Sequence, residues 1–364
     1  CLILSPLKLW SLSVRISSNF CSFWCLEDKF PLLFQGGLAD MVIVIEGAPL
    51  LKCPKSTDEF YNRYPSLVER GLSFVHENAR QVQPEFTLYV AQGEFGVVPG
   101  KDSKVKIIGS DDATTCHIVI LRHPSGTVGV AHFDGSKNEE AAISAMVEKI
   151  TNIERGAEGL QLCVVGGYTP EIGSHEASRN EAEHLSLKIL GMFSRHSCSF
   201  HLSLWCTCRL NTVQGSSGPQ PIIYGVGVDI LTGSIFPACF KSHDPNIPLR
   251  SASRWISGDK KLYDIYDYHS GTITIDPFYY SGMDCFSFYK QLSDDLLLRN
   301  FSTSPKVEPP RFCQDLRKVF QVFVDHPSPE ATLFPGKKSK KYVMNSNGLW
   351  ELMQDGTYLY KGDL

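Results

Sequence analysis

The sequence predicts an α+β sandwich of mostly antiparallel strands rather than a doubly wound parallel sheet, and three observations carry that expectation. Four strand patterns follow one another between residues 86 and 135 with only Gly, Asp, Ser and Pro turns between them. The helical patterns fall between groups of strands and not after each one. The strands of the second half again cluster around tight turns, and no repeat of fixed period is visible.

The elements follow in order. "MVIVIEG" (41–47) is a short strand, and 56–79 carries Phe60, Tyr64, Leu67, Leu72 and Val75 at mixed three and four spacing, an amphipathic helix or two with Ser56 or Thr57 as cap. "FTLYVAQG", "SKVKIIGS", "TTCHIVILRH" and "GTVGVAHFDG" are the four strands, with "HPSG" a hairpin tip between the last two. Residues 137–155 place Ala142, Met146 and Ile150 on one helical face. "LQLCVVGG" returns as a strand, and 175–193 is a second helix. The remainder reads as the apolar "CSFHLSLWCTC", a loop "QGSSGPQP", strands "IIYGVGVDI" and "SIFPACF", shorter strands "LYDIYDY" and "TITIDPF", and helices at 284–298 and 311–325.

Length and composition bound the function. A chain of 364 residues with 43% apolar and 20% charged residues can bury a sizeable core, and a net charge of -4 argues against a nucleic-acid or membrane surface as its partner. Residues 1–40 interrupt their apolar runs with Lys8, Arg15, Glu27, Asp28 and Lys29, too often for a membrane span, and are expected to be a non-native or disordered extension. Residues 41–364, without a clean linker, are expected to form a single domain. The 12 cysteines show no ladder of paired spacings, which suits reduced thiols in a cytoplasmic or nuclear compartment.

Most chemistry-bearing patterns have a plainer reading. Cys198, Cys206 and Cys208 lie near His196 and His201 but form no pair of C-x2-C knuckles, so no metal is expected. "YGVGVD" lacks a third glycine and leads into a hairpin, not a phosphate-cradling helix. "HEASRNEAEH" lacks the histidine pair of a zinc protease, no G-x-S-x-G elbow exists, and "KKSKK" is a solvated run.

The stretch "GSDDATTCHIVILRH" (109–123) remains. A thiol attacks as thiolate, and a neighbouring imidazole is the usual way to form one. His117 is adjacent to Cys116 and points to the opposite face of a strand. Folding the hairpin about Ser125 pairs position 118 with 132, which brings Cys116 and His132 together at the open end. Ser110, six residues before the cysteine, can accept the other imidazole N–H. The loop from Asp111 to Thr115 and the Cys116 amide can supply backbone N–H groups to an oxyanion. A cysteine at a strand start is also a common packing residue, so spacing by itself leaves both readings open.

At these residues the chain resembles the protein N-terminal asparagine amidohydrolase family. The likeness extends over "HFDG" (132–135), "VVGG" (164–167), "IYD" (265–267), "NFSTSPKVEPPRF" (300–312), "HPSPEATLF" (326–334) and "GLWE" (348–351), most of 41–351. Residues 1–40 and 191–221 show no such match. The resemblance implies a cysteine nucleophile at Cys116. A remoter likeness to bacterial glutamine deamidases, the chemotaxis receptor deamidase and the cytotoxic necrotizing factor toxins, supports His132 and Ser110 and implies an α-β-β sandwich.

The activity so implied is deamidation of an N-terminal Asn to Asp with release of ammonia through a thioester, without cofactor, by a monomer whose product enters the N-degron degradation pathway. Reading the substrate α-ammonium requires a carboxylate, for which Asp111, Asp112 and Glu46 are candidates, with Thr115 beside them on the substrate side. The later blocks read as fold determinants: Ser302 and Thr303 make side-chain turns before Pro305, and His326 ends a helix. Two rival readings are a glutamine deamidase or transglutaminase-like cysteine hydrolase, and a non-catalytic cysteine-rich metal-binding module.

Overall fold

The computed structural model describes residues 43–101, 103–156, 159–170, 176–216, 218–241, 246–256, 260–282 and 284–353; residues 1–40 lie outside them. The chain runs through β1 (Ile43–Ile45), β2 (Ala48–Pro49), α1 (Thr57–Arg63), α2 (Pro65–Val75), β3 (Arg80–Val82), β4 (Thr87–Tyr89), β5 (Glu94–Val98), β6 (Ile107–Ser110), β7 (His117–Arg122), β8 (Val128–Phe133), α3 (Glu139–Glu154) and β9 (Leu160–Gly166). There follow α4 (Glu176–Ser194), β10 (Phe200–Thr207), β11 (Thr212–Gly215), β12 (Gly218–Pro221), β13 (Val226–Asp229), β14 (Ile235–Phe240), α5 (Ile247–Ile256), β15 (Tyr263–Asp264), β16 (Tyr266–Asp267) and β17 (Thr272–Ile275). The described chain closes with α6 (Cys285–Tyr289), α7 (Asp294–Phe301), α8 (Phe312–Asp325), α9 (Pro329–Thr332), β18 (Lys340–Met344) and β19 (Trp350–Leu352).

The class is α+β. The largest sheet has the order β15-β5-β8-β7-β9-β10-β1-β2, and a second has β3-β14-β13-β6-β4. Both are mixed: β10 runs parallel to β9 and β1, β15 parallel to β5, β4 parallel to β6, and β3 parallel to β14, whereas β5, β8, β7 and β9 pair antiparallel with one another in that order. The near-continuous apolar runs of β7, β8 and β9 suit strands covered on both faces, and nearly every residue of the three is buried. A side chain in place of Gly129 would stand 3.0 Å from Met146 and 3.5 Å from Ile150 of α3, so that face of β8 takes the helix. A Cβ on Gly96 would meet Leu88 at 3.2 Å and Ile108 at 3.8 Å, so the other face of β5 takes β4 and β6.

Several expected elements are subdivided, each for a local reason. Pro65 cannot donate into the preceding turn, so the 56–79 pattern becomes α1 and α2, with Ser56 capping α1 through the Glu59 amide at 3.0 Å. The 284–298 pattern is likewise α6 and α7, separated where Ser293 accepts from the Leu296 amide. "QGSSGPQP" contributes to an antiparallel ribbon, β11 with β12. The end of the charged "GKKSKKY" is β18, paired with β17 and β19 in a small sheet tied to β4 by Trp350 Nε1 donating to the Thr87 carbonyl at 2.8 Å. "TTC" precedes the strand, which begins at His117.

Candidate active site

The β7–β8 hairpin sets the site. Its register pairs Arg122 with Val128 and Ile118 with His132, which centres the turn on Ser125. His132 faces the second sheet, and the last residue of β6 meets it there: Ser110 Oγ lies 2.7 Å from His132 Nδ1, with both residues buried. Nε2 of His132 is buried without a hydrogen-bond partner among the described residues. Burial lowers the His132 pKa from 6.5 to about 4 against the opposing pull of Asp134 and Asp111, so the ring is neutral at physiological pH.

Cys116 stands one residue ahead of β7. His117 pairs with Phe133 and Gly166, so Cys116 shares a strand face with Ile118 and sits diagonally across from His132. Its carbonyl accepts from the Gly167 amide at 2.8 Å. Gly166 makes that approach possible: at φ 138° it occupies a region closed to L side chains, and a Cβ there would fall 2.3 Å from the Cys116 oxygen. The thiol is 8% exposed, and no hydrogen bond joins it to the imidazole. Burial, then the charges of Asp134 and Glu308, push the thiol pKa well up, while a hydrogen bond from Thr115 opposes them. The Cys116 amide donates to no backbone carbonyl among the described residues, whereas that of Ala113 is taken by Tyr224 at 2.9 Å.

His117 turns to the other face, where Nε2 lies 2.7 Å from Ser186 Oγ, and its pKa is lowered to about 3 by burial and by His132. A stability consequence follows for the two buried imidazoles. The unfolded chain takes up both protons near pH 6.5, whereas the folded chain does so only near pH 4 and pH 3. Stability is therefore complete above pH 6.5 and is lost as pH falls toward 4, with a slope approaching about 1.4 kcal/mol per pH unit for each histidine. Urea unfolding at pH 7 and pH 5 checks this, and equal midpoints would contradict it.

The carboxylates singled out in the sequence have other partners. Asp111 is 2% exposed and accepts from the Tyr89 hydroxyl at 2.8 Å, the Phe240 amide at 2.9 Å and Arg311 Nη2 at 2.7 Å. Asp112, at φ 60°, receives Arg311 through Nη2 at 2.8 Å and Nε at 3.2 Å. Burial disfavours the Arg311 charge, but Asp112 and Asp111 outweigh it and keep the guanidinium protonated. Both acids thus clamp the 111–116 loop to Arg311. Glu46 is exposed in the β1–β2 turn, 3.9 Å from Arg70 and three strand spacings, about 14 Å, from β7. It does not converge on the site.

Sequence reasoning missed the role of 302–311. The buried Ser304 Oγ lies 2.7 Å from Thr114 Oγ1, which docks this segment on the loop beside Cys116. Glu308 Oε1 accepts from Ser302 and, at 3.0 Å, from Ser304. Burial raises the Glu308 pKa despite those two bonds, and its charge is felt by Tyr168 and Tyr224 as well as by Cys116. The signal available was an isolated acid amid prolines in "STSPKVEPPRF". His326 caps α8, its amide donating to the Val322 carbonyl at 3.1 Å. Among the described residues no group of three His, Cys, Asp or Glu side chains could hold a metal ion.

The chain matches the model of the protein N-terminal asparagine amidohydrolase family over residues 77–352. It is 33% identical over 314 residues to the protein N-terminal asparagine amidohydrolase of Homo sapiens, covering 85% of this chain and 98% of that one. The Sus scrofa protein of the same name is 34% identical over 321 residues, 87% of this chain and 99% of that one. The Mus musculus protein is 34% identical over 314 residues, with 85% and 98% covered.

Proposed function

The chain belongs to the protein N-terminal asparagine amidohydrolase family, and from that premise we propose that Cys116, His132 and Ser110 hydrolyse the side-chain amide of an N-terminal asparagine. The observation that carries the residue assignment is the 2.7 Å contact between Ser110 and His132 Nδ1, which leaves Nε2 unpartnered on the face shared with Cys116. With Nδ1–H donated to Ser110, Nε2 keeps the lone pair that a general base needs.

The thiol proton passes to Nε2 and sulfur attacks the carboxamide carbon. The oxyanion is met by the Cys116 amide. The imidazolium then protonates the departing nitrogen, ammonia leaves, and a thioester remains. Water, giving its proton to the same nitrogen, hydrolyses that thioester to aspartate and restores the thiol. No cofactor enters this sequence. Thr115 stands on the substrate side of the same loop.

The wider reading is also proposed. A helix–sheet–sheet layering is supported by Gly129 against α3 and Gly96 against β4 and β6. A single domain is supported by a large apolar core that draws residues from Ile43 to Trp350, beside a smaller cluster that includes Tyr89 and Phe240. The product would enter N-degron degradation in the cytoplasm or nucleus, and the enzyme would act as a monomer.

The test is intact-mass analysis of peptides after incubation. An Asn-starting peptide is expected to gain the increment of an amide-to-acid exchange with stoichiometric ammonia, while Gln-starting and internal-Asn peptides are not. Turnover of internal side chains at a comparable rate would favour the glutamine deamidase or transglutaminase type of activity.

A further inference from the structure

We propose that Glu308 receives the α-ammonium of the substrate, and that this ammonium also readies Cys116 for attack, so that a chain terminus is needed for chemistry as well as for binding. The proposal rests on Cys116 being the nucleophile and adds the group that reads the terminus.

Four acids lie in the Cys116 loop or act on its thiol, and their partners distinguish them. Asp111 and Asp112 share the Arg311 guanidinium as an ion-pair partner. Asp134 Oδ2 accepts from Gln92 at 2.9 Å, and Oδ1 accepts from Ser136 through its amide at 2.8 Å and its hydroxyl at 2.7 Å. Glu308 differs. Its Oε1 takes the two serine hydroxyls, and no hydrogen bond to Oε2 and no cation at the carboxylate occurs among the described residues. Ser302 and Ser304 orient the group without neutralising it, and Ser304 fastens it to Thr114, two residues before the thiol. The unpartnered Nε2 of His132 belongs to the same site.

The chemistry of asparagine makes this placement specific. Its α-nitrogen is three bonds from the carbonyl carbon under attack, so an ammonium delivered with that carbon arrives beside the nucleophile. An uncompensated carboxylate there is the complement of a cation and a hindrance to a second anion. In the empty enzyme Asp134 and Glu308 both oppose ionisation of Cys116, after burial itself. A bound ammonium cancels the Glu308 contribution, and the thiol proton can then move to His132 Nε2. Around that ring Asp134, Asp111 and Glu94 favour the imidazolium and Arg254 opposes it. An acetylated terminus carries no charge and is refused at both steps.

The experiment compares wild type with Glu308→Gln and Glu308→Asp. It measures kcat/KM on an Asn-starting peptide and on its N-acetylated form, together with the pH profile of Cys116 alkylation by iodoacetamide, located by peptide mass mapping. Glu308→Gln is expected to lower kcat/KM for the free peptide about 10- to 100-fold, the loss of one charge-assisted hydrogen bond, and to erase most of the preference over the acetylated peptide. Its alkylation inflection should move to lower pH. Glu308→Asp, which keeps the charge, should retain the wild-type alkylation profile. Wild-type discrimination in a folded Glu308→Gln protein, or an unmoved inflection, overturns the proposal. Failure of the nucleophile assignment reads differently: wild-type protein alkylated fully at Cys116 would still release ammonia.

Discussion

Replacing Cys116 with alanine is expected to cut ammonia release by on the order of 10⁴-fold or more, because no other group can form the thioester and the remaining elements only bind and polarise. The loss should be chemical and not structural. The loop that carries Cys116 is held by Arg311 on Asp111 and Asp112, by Ser304 on Thr114, by the Ala113 amide on Tyr224, and by the Gly167 amide on the Cys116 carbonyl. None of these uses the sulfur. Deleting one buried sulfur atom costs about 1 kcal/mol or somewhat more, a shift of a few degrees in melting temperature. Circular dichroism and thermal melting of the variant, beside ammonia assays, separate the two effects. Wild-type-like turnover by a folded Cys116→Ala protein would eliminate the mechanism.

The second large effect is expected at His132. His132→Gln should reduce kcat by roughly 10³-fold or more, since a glutamine amide takes no proton from the thiol and returns none to the leaving nitrogen. It should cost stability too, about 1–3 kcal/mol, because Ser110 loses a buried partner. That cost should depend on pH: with one buried imidazole gone, the variant loses less stability than wild type between pH 6.5 and pH 4. Ser110→Ala, which leaves the base in place but frees its orientation, should fall between wild type and His132→Gln. Retention of more than a tenth of wild-type turnover by His132→Gln would assign proton transfer elsewhere.

The contrast between legible and illegible features is sharpest around one hairpin. The pairing of Ile118 with His132 follows from strand period and a Pro-Ser-Gly turn, both written within twenty residues. That Ser110 reaches His132 was also within reach, since β6 ends six residues before Cys116. The carboxylates were not. Asp111 and Asp112 look like free acids in sequence, and the guanidinium that occupies them comes from Arg311, 199 residues beyond Asp112. Glu308 looks like one acid in a proline-rich stretch until Ser304, 190 residues from Thr114, attaches its segment to the loop. The parallel run of β9, β10 and β1 was equally hidden, because two parallel neighbours need not be close in sequence.

By itself, then, the sequence determined the α+β class and the β7–β8 hairpin with its pairing of Ile118 and His132, because side-chain alternation and turn chemistry act between near neighbours. Only the tertiary structure decided which acids are spent on Arg311, which carboxylate stands uncompensated near the thiol, and which face of the sheet is covered by helix or by strand. The physical reason is that the charge state and availability of a side chain depend on what packs against it, and chain folding chooses that partner from distant segments.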